Sequence, residues 1–413
     1  MQKKIFPILL VILFINVSSY TQSQTIELGI DILEKSNFAQ IIGKRVALLT
    51  NFSGRDSKQE LTAEMLINTR QTQLTLILTP EHGFYGNFSA GSSVDNSKFM
   101  GVPILSLYGN SKKIPYAYTE LFDIILVDIQ DIGVRSYTFI STLYYVMQSA
   151  AEYNKPVIIL DRPNPLGGMG VDGNVLDTNF QSYIGLIPVP YVHGMTIGEV
   201  ASMINGENWL SENKNNLKCD LTVIKMDGWQ RWMQWEDTGL NWFPTSPNVP
   251  TPDAIRGIAM LGWIGELSLC SVGIGTNLPF QFFGSPYFSQ AFIEYARNLE
   301  LNAAQLFPLQ FQPSYGKFAN QGCNGFLIIF KKDNSYTPYS NGIELLLSLR
   351  KFHPDLFDAT KIEYSKIQMF QKATGTDIIF NLLFKKGTDE QIRKASIEGI
   401  VDFIKIREKY LLY

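Results

Sequence analysis

The sequence predicts an α/β protein in two parts: a first domain built on a parallel sheet with helices on both faces, then a smaller α/β domain. Three observations carry this. Apolar runs at residues 46–50, 74–78, 122–128 and 157–160 alternate with helical stretches, the pattern of βαβ units. Each run ends in polar residues, as strands do when their carboxyl ends form a ligand crevice. The stretch Phe243-Pro244-Thr245-Ser246-Pro247-Asn248-Val249-Pro250-Thr251-Pro252 is dense in proline and reads as an extended linker. The expected organisation is a leader at 1–24, a first domain at 25–250 and a second at 251–413, and 413 residues suit two domains of ordinary size.

The leader is expected from Lys3 and Lys4, an apolar run at residues 5–17, and the small or polar Ser18, Ser19, Thr21 and Ser23. That run is short for a membrane span and has the form of a secretory signal. No cysteine follows it, which argues against a lipid anchor. The mature chain is therefore expected to be exported, to a periplasm or beyond, with no lasting membrane anchor. Cys219, Cys270 and Cys323 show no metal-binding spacing. Export would permit one disulfide, and three free thiols fit equally well.

Hydrophobic residues make up 45% of the chain and charged residues 18%, so there is ample core and no sign of disorder. A net charge of -3 gives no electrostatic case for nucleic acid.

Taken in order, the first strand ends at Asn51. The second runs into Thr79-Pro80-Glu81-His82-Gly83, where an acid and an imidazole stand side by side. A third extended run covers 103–108. The fourth ends at Asp128 and leads into Asp131, Arg135 and Tyr137. A helix follows from about 139 to 153, with Leu143, Val146, Met147 and Ala150 on one face. The next strand ends at Asp161, Arg162 and Asn164. His193 precedes a helix whose start carries a Thr196/Glu199 capping box. Beyond the linker come a Gly-rich run at 273–277, a strand at 326–330, and a last helix from about 389 to 409.

If the strands are parallel, Asn51, Glu81, His82, Asp128, Asp131, Asp161, Arg162 and Asn164 share one edge of the sheet. Glu81 leads as the catalytic carboxylate. Carboxylates, amides, an arginine and aromatics suit carbohydrate chemistry, where glycoside hydrolysis commonly needs two carboxyl groups. Arg135 would anchor an anionic substrate group, or pair with Asp131 or Asp128. There is no P-loop, GxGxxG, GxSxG or HExxH motif, so no cofactor is expected. No metal is expected either, although a carboxylate-led site from Glu81, His82, Asp128, Asp131 and His193 is the alternative.

Six motifs occur in order: Pro80-Glu81-His82-Gly83; residues 128–138, reading DIQDIGVRSYT; residues 161–168, reading DRPNPLGG; His193-Gly194-Met195-Thr196; Gly228-Trp229; and residues 246–251, reading SPNVPT. Together they resemble the bacterial exo-β-N-acetylmuramidase family, from about Val46 to the C-terminus. The resemblance implies a Rossmann-type first domain, a C-terminal α/β domain and an active site in the cleft between them. It also implies release of N-acetylmuramic acid from the non-reducing end of peptidoglycan fragments, in cell-wall turnover and recycling. The lactyl carboxylate of that sugar would give Arg135 or Arg162 a partner. Glu81 carries over as catalytic.

The chain departs from the family pattern twice. It has Val171-Asp172-Gly173-Asn174 where many members have VEGP. At 266–276 it keeps Glu266 but has Val272 and Ile274 in place of a second Glu and an Arg. Asp128, Asp131, Asp172 and Glu266 thus compete for the role of second carboxylate. The expected catalytic set is Glu81, Asp128, Asp131 and Glu266. The expected sugar-binding set is Asn51, His82, Arg135, Tyr137, Asp161, Arg162, Asn164, Asp172 and His193. A glycan-binding protein without catalysis, or a metal-dependent hydrolase, would use the same cleft.

Overall fold

The computed structural model describes residues 26–89, 91–92, 97–109, 111–211 and 216–413. The expected leader lies outside the described residues. Among these residues no helix is long and apolar enough to cross a membrane.

The apolar runs become strands buried on both faces, as parallel strands between helix layers must be. In chain order the first part contains α1 (Gly29–Lys35), β1 (Arg45–Thr50), α2 (Thr62–Asn68), β2 (Gln73–Thr79), β3 (Ser97–Phe99), β4 (Val102–Ser106), β5 (Ile124–Asp128), α3 (Phe139–Glu152), β6 (Val157–Leu160), β7 (Asp172–Val175), β8 (Pro190–Val192), α4 (Ile197–Gly206) and β9 (Leu221–Ile224). The central sheet has the order β3-β4-β2-β1-β5-β6-β9. Only β3 runs antiparallel to its neighbour. The six parallel strands follow the doubly wound order, whose direction of growth reverses between β1 and β5. The site-bearing loops therefore open at the sheet edge where such folds bind ligands.

The start of the described chain is tied to strands made much later. Ile26 N donates to Thr238 O, Glu27 and Asp227 form a bridge, and Gly29 N donates to Asp161 O at 3.0 Å. A Cβ at Gly29 would sit 2.4 Å from Asp161 N, so only glycine lets α1 come this close.

The second part contains α5 (Pro252–Gly265), β10 (Phe282–Ser285), α6 (Gln290–Ala296), β11 (Ala304–Phe311), β12 (Cys323–Phe330), α7 (Pro338–Phe352), α8 (Tyr364–Thr374), α9 (Ile378–Phe384), α10 (Asp389–Ala395) and α11 (Ile400–Arg407). Its sheet is antiparallel, in the order β10-β12-β11. The single last helix expected at 389–409 is two helices. Gly399, at φ 83°, breaks the turn between α10 and α11.

One hydrophobic cluster runs from Ala47, Val127 and Ile159 through Tyr191 and Trp263 to Tyr339 and Phe370. A second, with Ile30, Leu48, Leu66 and Leu126, fills the opposite sheet face. The Pro-rich stretch is a packed strap: Thr245 and Val249 are buried. Cys219, Cys270 and Cys323 are buried free thiols.

Candidate active site

Glu81 stands just beyond β2, after Pro80. The chain turns sharply there, with His82 and Gly83 both at φ 72°. The His82 imidazole folds back onto its own loop, its Nδ1 2.8 Å from Phe88 O. It braces the turn and does not face outward as a ligand contact would.

Three donors converge on the Glu81 carboxylate. Gly91 N donates to Oε1 at 2.9 Å, Thr138 Oγ1 to Oε2 at 2.7 Å, and the Tyr108 phenol makes a third hydrogen bond. Burial and the adjacent carboxylate push the Tyr108 phenol up to about 12, so at neutral pH it holds its proton and donates. These donors come from the β2 loop, from beyond β4 and from the start of α3. They fix the carboxylate in position at the sheet edge.

Aromatic rings extend from this point. Tyr183 lies 5.6 Å from Tyr108 and stacks on Tyr145 at 6.3 Å. Lys112 Nζ sits 4.6 Å over the Tyr183 ring and has no carboxylate partner among the described residues. Tyr137 is buried, and its phenol donates to Thr245 Oγ1 at 2.7 Å, tying the strap to the site. Burial raises this phenol well above its ordinary range, with Asp131 and Glu81 both adding to the rise. Tyr137 therefore lies within the field of both acids.

Asp131 is the second acid at this edge. Its Oδ2 accepts from Gly133 N at 2.8 Å and stands 3.6 Å from His193 Nε2. His193 Nδ1 accepts from Met195 N, which leaves the ring proton on Nε2, facing Asp131. β2 and β5 are next-nearest neighbours, so their ends lie about 10 Å apart.

Five buried polar atoms near the strand ends make no hydrogen bond to a described residue: Asn51 Nδ2, Thr79 Oγ1, Gln130 Oε1, Asp131 Oδ1 and His193 Nε2. Buried polar atoms are nearly always paired. These five are shut off from solvent, so they form an unsatisfied polar layer at the strand ends and not an open contact surface.

Several expected site residues belong to the fold instead. Asp128 is fully buried and accepts both arms of the Arg162 guanidinium plus Thr62 Oγ1. Its oxygens are occupied, so it is not a free acid, and Arg162 is not a free anion clamp. Arg135 donates to the carbonyls of Asn174, Val189, Ala373 and Thr374 at 2.7–3.2 Å. Its charge serves the end of α8, not a substrate carboxylate. Asp161 accepts from Arg162 N, Thr196 Oγ1, Gly198 N and Tyr413 OH. It caps α4. Asn164 bridges Leu166 N and Met195 O. Asp172 accepts from Ser340 N and Oγ at the start of α7.

Glu266 ends α5 in the second part. Burial raises its carboxyl above the usual range, opposed by Lys366. It acts electrostatically on Tyr191, whose oxygen accepts from Ser136 Oγ at 3.0 Å. Tyr108, Thr138, Tyr183 and Lys112 were not anticipated as site residues. Tyr108 had a signal, as the polar end of a predicted strand, and Thr138 closes the 128–138 motif; Lys112 and Tyr183 had none. Among the described residues no three His, Cys, Asp or Glu side chains converge as a metal-binding group would.

This fold has known counterparts. Models of the exo-beta-N-acetylmuramidase NamZ N-terminal and C-terminal regions match residues 46–253 and 259–413. The peptidoglycan beta-N-acetylmuramidase NamZ of Bacillus subtilis (strain 168) is 33% identical over 391 residues, 94% of this chain and 91% of that protein. Two crystal structures of DUF1343 family proteins from Bacteroides fragilis NCTC 9343 each match 94% of this chain and 99% of their own. Their TM-scores are 0.87 and 0.73, at 32% and 29% identity. The class is thus a glycoside hydrolase with a doubly wound sheet. The chain belongs to the exo-beta-N-acetylmuramidase NamZ family.

Proposed function

We propose that this chain is an exo-acting β-N-acetylmuramidase that releases N-acetylmuramic acid from the non-reducing end of peptidoglycan fragments. It serves wall turnover and recycling and works outside the cytoplasm, as the leader-like first residues lead one to expect. The observation that carries the site assignment is Glu81, held by three donors beside a row of unpartnered polar atoms.

Glycoside hydrolysis needs one carboxyl group to protonate the leaving oxygen and another to activate water or to attack the anomeric carbon. Glu81 takes one of these roles. Asp131, with one unpartnered oxygen and His193 behind it, takes the other. With Arg135 and Arg162 committed to the fold, Lys112 is the cation assigned to the lactyl carboxylate. The test is Glu81→Gln, assayed on an aryl N-acetylmuramide. Turnover should fall by about a thousandfold with the melting temperature preserved. Undiminished turnover would overturn the assignment.

A further inference from the structure

A cavity lies in the C-terminal part, and the Glu81 carboxylate is not among its lining. It is open, with a volume of about 390 Å³, within the range of small-ligand sites. One wall is the Gly-rich run. Gly275 adopts φ 90°, and a Cβ there would meet Tyr315 O at 2.1 Å. Gly275 O accepts from both Ser314 N and Ser314 Oγ at 2.8 Å. Glycine is what allows the two loops to lie against each other and hold the cavity's shape.

The floor is aromatic. Phe311 stacks on Phe282 at 4.9 Å and 14°. Tyr315 stands at the rim, 55% exposed. The Asn277 and Gln312 side chains complete the lining and make no hydrogen bond to any described residue. No charged side chain lines the cavity.

Flat apolar faces beside the two unengaged amides of Asn277 and Gln312 match a sugar ring, whose C–H face packs on an aromatic while its hydroxyl and acetamido groups take hydrogen bonds. The uncharged lining offers nothing to a lactyl or peptide carboxylate. The strap links the cavity to the reaction centre: Thr245 takes the Tyr137 hydrogen bond, and Asn248 Oδ1 accepts from the Tyr315 phenol at 3.3 Å. We infer that this cavity is a binding subsite for a neutral N-acetylhexosamine unit of the glycan. The choice of glycan rests on the muramidase reading; the cavity's preference for a neutral sugar rests on its lining.

The test uses the full chain and N,N′-diacetylchitobiose as probe, titrated calorimetrically. Wild type should bind saturably with a Kd in the millimolar range. Tyr315→Ala should weaken this by about tenfold, the loss of one good stacking contact. Tyr315→Phe, which gives up the Asn248 hydrogen bond but keeps the ring, should retain binding. In a parallel assay, kcat/KM for an N-acetylmuramyl-N-acetylglucosamine disaccharide, taken relative to an aryl N-acetylmuramide, should drop about tenfold in Tyr315→Ala. No saturable chitobiose binding, or binding indifferent to Tyr315→Ala, would overturn the subsite. If wild type cleaves neither substrate, the muramidase reading fails, and the titration still decides the subsite.

Discussion

Replacing Arg135 with methionine should destabilise the protein without changing its affinity for an anionic sugar. The guanidinium is 2% exposed and serves four backbone carbonyls. Two of these keep another donor: Val189 O has Leu176 N at 3.2 Å, and Thr374 O has Asn174 Nδ2 at 2.8 Å. At most two carbonyls, those of Asn174 and Ala373, are left bare. A stripped buried acceptor costs roughly 1–3 kcal/mol, giving roughly 2–6 kcal/mol in all. Burial already holds the Arg135 pKa down to about 10, so removing the charge offsets part of that loss. The expected net is therefore about 2–4 kcal/mol, a sizeable share of a typical total of about 5–15 kcal/mol. With a urea dependence of about 3 kcal/mol per molar, the midpoint should fall by roughly 1 M. The KM for N-acetylmuramides should not move. An unchanged midpoint, together with a raised KM for the free acid but not for its methyl ester, would refute this reasoning and return Arg135 to the substrate.

Two further outcomes follow from charged groups. Burial raises the Asp161 carboxyl to about 6, against the lowering effect of its hydrogen bonds. Between about pH 4 and 6 the folded state keeps a proton that the unfolded state has lost, so stability should fall as pH rises through that window, by about 3 kcal/mol. Asp161→Asn should flatten this slope in urea titrations at stepped pH; parallel slopes in variant and wild type would refute it. Lys112→Met should raise KM about tenfold for a muramide with a free lactyl group, and much less for its methyl ester. Equal effects on the two substrates would remove Lys112 from carboxylate recognition.

The sheet was legible in the sequence because parallel strands buried on both faces read as unbroken apolar runs. Glu81 was legible because it ends one of them. Arg135 was misread because its acceptors are backbone carbonyls, which carry no sequence signature, and two of them arrive from α8, far along the chain. Asp128 and Arg162 each looked like a ligand group; only the fold shows that they satisfy each other. Lys112 and Tyr183 escaped notice because a lone lysine and a lone tyrosine in loops have no diagnostic spacing. The last helix was drawn too long because its periodicity continues past Gly399, whose backbone conformation does not.

The ties from Ile26, Glu27 and Gly29 to Thr238, Asp227 and Asp161 bear on the order of folding. The backbone of residues 26–29 finds these partners only once Asp161, Asp227 and Thr238 are in place, whereas α1 has earlier ones in Ser57, which donates to Asp31, and Lys58, which pairs with Glu34. Contacts that span so much chain form slowly, because loop closure must come before the contact that rewards it. The backbone clasp at residues 26–29 is therefore expected to close late, after β6 and the 227–238 segment have taken their places, although α1 itself can meet residues 57–58 much earlier.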